Sequence, residues 1–229
     1  MPGKRITKKE SNSLYRLLKF MHDTLVANDI TYWIVGGTLL GAIRHQGLIP
    51  WDDDADICIL KKDAKKFAKL RPVFEKAGYE VDDEPDEDNK ICRKNNSCSY
   101  AITSKGLDCD VFIMEQKGNK ITYADPYWAN EGNGGKRCYF LKDHVFPLIP
   151  LRFGNFFLYA PNNAIVHLNT CYGKDWNSMS MMLYNHRTGR WGSGRKHQMK
   201  PEEYAAPAPP KDTCDGNLPI INACKYRKK

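Results

Sequence analysis

The chain has 229 residues, 41% of them hydrophobic and 27% charged, enough for one sizeable core. No run approaches the roughly 18 to 20 apolar residues of a membrane-spanning helix, and the basic opening "MPGKRITKKESNS" leads into an amphipathic segment, unlike a signal peptide. The expectation is a soluble, cytoplasmic protein whose formal charge of +8 favours an anionic partner.

In chain order, Leu14, Leu17, Leu18, Met21 and Leu25 recur at helical spacing, with Ser11 or Ser13 as caps and Asn28 beyond the end. "TYWIV" (31–35) reads as a strand that stops at Gly36-Gly37, where a backbone without Cβ turns tightly. A short helix, "TLLGAIR" (38–44), follows, and the loop "HQGLIPWDDD" returns to a strand, "ADICIL" (55–60). Asp63 is placed to cap a basic helix carrying Phe67, Leu70 and Phe74, which Pro72 breaks or restarts and Gly78 ends. Its lysines suit a solvated face.

Farther on, "YEV", "SYAIT", "LDCDVFIM", "KITYAD" and "NFFLYA" read as short strands, with an acidic loop at 82–89. "DPYWANEGNGGKR" (125–137) suits either an acceptor or nucleotide loop or an ordinary surface loop. A last helix with Ile165, Val166 and Leu168 leads into "CYGKDW". Residues 1–200 are expected to form one domain, and 201–229 a Pro-rich linker, "AAPAPP" (205–210), with a basic tail. The succession of helices and strands predicts an α+β fold, a mixed β-sheet with helices packed mainly on one side.

The eight cysteines include no CxxC pair and do not resemble a disulfide framework. Cys58 and Cys109 alternate with apolar residues in strands, as core positions do. A zinc site from Cys92, Cys98 and Cys138, or a Cys214–Cys224 bridge, lacks diagnostic spacing. No nucleic-acid motif or regular basic-aromatic stripe is present, so a nucleic-acid partner is not expected.

The chemistry concentrates where four aspartates adjoin the most hydrophobic stretch. Residues at i and i+2 of a strand share a face about 6.5–7 Å apart, so Asp54 and Asp56 project together while Ala55 and Ile57 face the core. Two such carboxylates repel unless a cation lies between them, and hard oxygen donors suit Mg²⁺ or Mn²⁺. Gly36, Gly37 and Thr38 precede a helix whose first amides can hold a phosphate.

A third carboxylate comes from "LDCDVFIM": Asp108 and Asp110 share one strand face, with Asp110 the deeper choice and Asp108 equally a strand-opening residue. Arg44 suits a donor phosphate through its planar fork, or a surface ion pair with the acidic cluster. Asp52 and Asp53 are second choices, for the loop's hydrogen bonds or a metal-bound water. Trp51 is expected to pack the loop, and His45 to hydrogen-bond within it rather than act as a base.

"GGTLLGAIRHQGLIPWDDDADI", together with "LDCDVFIM" and "LYAPNNAIVHLNTCYGKDW", resembles the signature of the LicD family, which includes phosphocholine transferases and the fukutin proteins. The resemblance covers about residues 14–176. It implies a nucleotidyltransferase-type fold whose Gly-Gly turn and Asp-x-Asp strand bind a metal-chelated pyrophosphate. It further implies transfer of a phosphorylated alcohol from a CDP-activated donor to a glycan or glycolipid hydroxyl, with release of CMP. Carried over, Asp54 and Asp56 fit the metal-binding pair and Asp110 the third carboxylate, placed also to take the acceptor proton. An NMP transferase using an NTP, or a noncatalytic binding protein, would share these features. A peripheral contact of the basic tail with anionic lipid is compatible with either.

Overall fold

The computed structural model describes residues 4–82, 99–130, 139–181, 184–185, 190–191 and 195–215. The first helix, α1 (Lys8–Ala27), starts earlier than its apolar stripe suggests. Thr7 caps it, accepting from the Glu10 amide while the Glu10 carboxylate accepts from the Thr7 amide, and Ser11 lies inside the helix with its hydroxyl on the Lys8 carbonyl. The expected Ser11 and Ser13 caps are therefore replaced by a reciprocal box one turn upstream.

The central sheet has seven strands among the described residues. β1 (Tyr32–Ile34), β2 (Ala55–Leu60), β5 (Leu107–Lys117), β4 (Ser99–Ser104) and β3 (Glu80–Asp82) lie side by side in that order. β6 (Lys120–Tyr123) pairs with the far end of β5, and β7 (Tyr139–Leu141) with β6. β2 and β5 run parallel and the other pairs antiparallel, which makes the sheet mixed. Parity divides its faces. Tyr32, Ile34, Ile57, Ile59, Cys109, Val111 and Ile113 join the main core, while Trp33, Cys58, Phe112 and Met114 join a smaller one on the opposite face.

The main core takes the apolar faces of α1, α2 (Gly36–Arg44), and the pair α3 (Ala64–Ala68) and α4 (Arg71–Lys76). Pro72 sits in the first turn of α4, where its missing amide proton costs nothing, so it restarts a helix as expected. Asp63 precedes α3 without making a side-chain cap; its Oδ2 is buried and has no hydrogen-bond partner. The hairpin of β8 (Ile149–Phe153) and β9 (Phe156–Ala160) closes the core against Tyr15, whose ring meets Phe153 and Phe156 edge-on at 5.7 and 6.2 Å. The opposite face receives the short α5 (Pro126–Asn130) and α6 (Lys142–Val145), so helices do pack mainly on one side. α7 (Ala164–Tyr172) ends at Gly173. Among the described residues, no helix is long and apolar enough to cross a membrane.

The Pro-rich segment is not a detached linker. The Tyr15 hydroxyl donates to the Pro207 carbonyl (2.8 Å), Asn155 Nδ2 to the Pro210 carbonyl (2.9 Å), and Arg16 pairs with Asp212 (2.7 Å). Rigid proline backbone loses little entropy on docking, and its bare carbonyls take the donors that α1 and the β8–β9 turn present. Cys58 and Cys109 are buried, as expected, and form no disulfide; Cys214 is a free thiol too. The candidate zinc ligands Cys92, Cys98 and Cys138, the acidic loop from 83 onward, Cys224 and the basic tail lie outside the described residues.

Candidate active site

The antiparallel register of β1 on β2 (Ile34 opposite Ile57) brings the end of β1, and hence the glycine turn, to the start of β2. The parallel register of β2 on β5 sets Asp56 directly beside Asp110. Both lie on the sheet face opposite the main core, and Asp54 joins them two residues upstream. Carboxylate oxygens of Asp54, Asp56 and Asp110 all come within 4.8 Å of one another. Three residues that strand parity singles out thus form one cluster.

The glycines are explained by what lies over them. α2 begins at Gly36, not at Thr38, and Gly36 has φ +57°, a left-handed conformation that disfavours side chains. A Cβ at Gly36 would strike the Asp56 carboxylate, and one at Gly37 would strike that of Asp52. The turn is therefore a backbone cradle pressed against two aspartates. The Gly37 amide hydrogen-bonds the Asp56 carboxylate, and the Thr38 hydroxyl accepts from the Asp56 amide at 2.8 Å, tying helix to strand.

Burial raises the Asp56 carboxyl well above the usual carboxylate range, and the charges of Asp54, Asp110 and Asp52 push the same way. The Gly37 hydrogen bond opposes them only weakly. Such a site strongly disfavours its own full ionisation. A hard divalent cation removes the conflict, and the all-carboxylate donor set together with the pressed turn fits Mg²⁺ or Mn²⁺.

Other candidates sit differently. Asp108 shares the Asp110 face but accepts from the Thr103 hydroxyl at 2.7 Å, outside the three-carboxylate cluster. Asp52 lies over Gly37, and Asp53 occupies the loop between Trp51 and the triad without joining it. Arg44 is not on the surface: it is 3% exposed and donates to the Trp176 and Met179 carbonyls at 2.7 and 3.1 Å. Its Nε donates to His45 Nε2 at 2.8 Å, and His45 Nδ1 meets the Tyr204 carbonyl at 3.0 Å. His45 therefore is the loop hydrogen-bonder expected of it, and Trp51 packs edge-on against it and onto the main core.

One residue escapes a reading of the sequence. Tyr172, the last residue of α7, is partly buried, and its phenol is raised well above its ordinary value by desolvation and then by the charge of Asp56, with Asp52 and Asp54 adding. It forms a wall of the acidic site. "CYGKDW" lies inside the segment that carries the family resemblance, but nothing in its spacing singles out the tyrosine.

The family model described as "LicD/FKTN/FKRP, nucleotidyltransferase domain" matches residues 29–163, more than half of the chain, including the glycine turn and all three aspartates. An uncharacterized protein of Rickettsia prowazekii, RP689, is 33% identical over 97% of this chain and 78% of its own length. The ribitol 5-phosphate transferase FKRP of Mus musculus is 29% identical over 70% of this chain and 31% of its own length. The lipopolysaccharide cholinephosphotransferase LicD of Haemophilus influenzae is 30% identical over 51% of this chain and 42% of its own length. The chain thus spans less than half of either named transferase. A matched domain that contains the glycine turn and the three aspartates, and a relative aligned along nearly the full chain, make this protein a member of the LicD family.

Proposed function

We propose that the protein is a metal-dependent LicD-type phosphotransferase, moving a phosphorylated alcohol such as phosphocholine or an alditol phosphate from a CDP-activated donor to a glycan or glycolipid hydroxyl. The carrying observation is the three-carboxylate cluster set against a glycine turn and helix start. The named relatives are transferases of ribitol 5-phosphate and of cholinephosphate, which supports this substrate class.

Asp54, Asp56 and Asp110 would hold Mg²⁺ or Mn²⁺, whose charge would stabilise the transferring phosphoryl oxygens. Positioning falls to the chain. The Gly36-Gly37-Thr38 turn offers the start of α2, where amide dipoles favour an anion, to the donor pyrophosphate. The Gly37 amide and Thr38 hydroxyl keep Asp56 in register with Asp110. Asp110, on the adjacent strand, takes the proton of the attacking hydroxyl at a carboxylate oxygen. Tyr172 lies within the field of the Asp56, Asp52 and Asp54 charges, at the end of α7. Phosphoryl transfer demands an in-line arrangement more than covalent help, so rigid strands are the right supports.

A thermal-shift panel tests the donor class: CDP, CDP-choline, CDP-ribitol, CTP, ATP and UDP-sugars, each with and without Mn²⁺. A ligand that binds only the native state raises the melting point. Metal-dependent stabilisation by cytidine diphosphate compounds, lost on Asp54→Ala/Asp56→Ala, is expected; a preference for NTPs over CDP compounds contradicts it.

A further inference from the structure

We infer that Arg44 is a positioning residue that clamps the wall of the acidic site, and not a ligand of the donor phosphate. The inference deepens the phosphotransferase reading and rests on it for its kinetic arm.

Arg44 ends the helix that begins at the glycine turn, about 12 Å along the axis from Gly36 at about 1.5 Å per residue. One nine-residue helix therefore holds the carboxylates at its start and the clamp at its end. The clamp reaches backbone both directly and through one imidazole. Arg44 Nη1 donates to the carbonyls of Trp176 and Met179, and Arg44 Nε donates to His45 Nε2. Since Nε2 accepts, the ring proton lies on Nδ1, which donates to the Tyr204 carbonyl. The Tyr204 hydroxyl then donates to the Asn177 carbonyl at 2.9 Å, closing a ring of contacts through 44, 45, 204 and 177.

The segment so held, 173–180, begins immediately after Tyr172, whose phenol feels the charges of Asp56, Asp52 and Asp54. A buried guanidinium is costly, and burial pulls Arg44 down to about 10, yet its planar fork serves separate carbonyls and the imidazole at once. A lysine ammonium has the charge without the fork. The clamp explains why a cation needs to be arginine here, and why the wall of the site depends on residues around 204.

Arg44→Lys and Tyr204→Phe, in the full chain, test the clamp by hydrogen exchange of peptides covering 173–180 and 200–207, with Mn²⁺ binding and donor kinetics alongside. The clamp predicts exchange in 173–180 faster by about tenfold or more in Arg44→Lys, and by less in Tyr204→Phe, with β2 and β5 still protected. Mn²⁺ affinity should stay within about threefold, while kcat falls about tenfold or more at a donor KM changed less than about threefold. Unchanged exchange with a raised donor KM would overturn the clamp in favour of direct donor contact. Loss of protection throughout the sheet, with kcat per folded molecule retained, would equally overturn it in favour of an ordinary core contact. If the wild-type chain turns over no CDP-activated donor, the functional reading falls, while the exchange pattern still decides whether Arg44 holds 173–180. Should Arg44→Lys fail to fold, Tyr204→Phe carries the same exchange test.

Discussion

Asp56→Asn removes one charge from the cluster while keeping the shape of the side chain. With carboxylate oxygens within 4.8 Å, each ionised pair costs about 332/(20 × 4.8), or about 3.5 kcal/mol, at an effective dielectric near 20. The substitution would relieve two such pairs, with Asp54 and with Asp110. Against this stands the hydrogen bond from the Gly37 amide, worth about 1.5–3 kcal/mol to a charged acceptor. Part of the repulsion is already relieved in the native chain, since burial and the neighbouring charges raise the Asp56 carboxyl well above the usual range. The net gain in metal-free stability near neutral pH is therefore about 1–3 kcal/mol, or about 2–12 °C in melting temperature for a chain of this size. Differential scanning calorimetry in EDTA, and again with Mn²⁺, reads both halves: the Asp56→Asn chain should melt higher without metal and lose the Mn²⁺-dependent rise. A variant that melts lower in EDTA and keeps the full Mn²⁺ response would refute the like-charge account of the site.

Gly36→Ala places a Cβ against the Asp56 carboxylate at a left-handed φ, so it should cost about 1–3 kcal/mol and abolish Mn²⁺-induced stabilisation, as thermal melts with and without metal would show. His167 is 6% exposed, stacked on Phe140 at 4.2 Å, and lowered by burial from about 6.5 to about 4. Because the folded state resists protonation, its contribution is present above about pH 6.5 and lost as pH falls toward 4, in total about 3 kcal/mol at 1.36 kcal/mol per pH unit. Urea denaturation from pH 7 to 4 should show that slope in wild type and its reduction in His167→Phe. Tyr15→Phe leaves the buried Leu48 amide without its 3.2 Å partner and releases the Pro207 carbonyl, for a loss of about 1–3 kcal/mol by urea melts and faster limited proteolysis near 205–210.

Much of the site is legible in the residues alone because its logic is local. The two-residue spacing of Asp54 and Asp56, and of Asp108 and Asp110, determines which carboxylates share a strand face. The glycine pair after a β-branched and aromatic run marks a turn. Parity cannot reveal which strands become neighbours, so the direct pairing of Asp56 with Asp110 on parallel β2 and β5 emerges only from the fold. Arg44 reads as a donor-phosphate ligand or a surface ion pair for a similar reason: its partners are carbonyls some 130 positions away, contributed by backbone that carries no sequence signature. The Pro-rich segment reads as a linker by composition, although Tyr15, Asn155 and Arg16 hold it. The cap at Thr7 differs in kind, since Thr7 and Glu10 spell a capping box that the later apolar stripe overshadows.

The most direct test of the central claim is product analysis. The purified chain is incubated with CDP-ribitol or CDP-choline and a glycan or glycolipid acceptor, with Mn²⁺ or EDTA, beside Asp54→Asn and Asp110→Asn. A LicD-type phosphotransferase will release CMP and add a phosphorylated alcohol to the acceptor, only with metal and only with both aspartates present. Pyrophosphate released from an NTP, with no CMP from either CDP-alcohol, would contradict it and make the protein a nucleotidyltransferase.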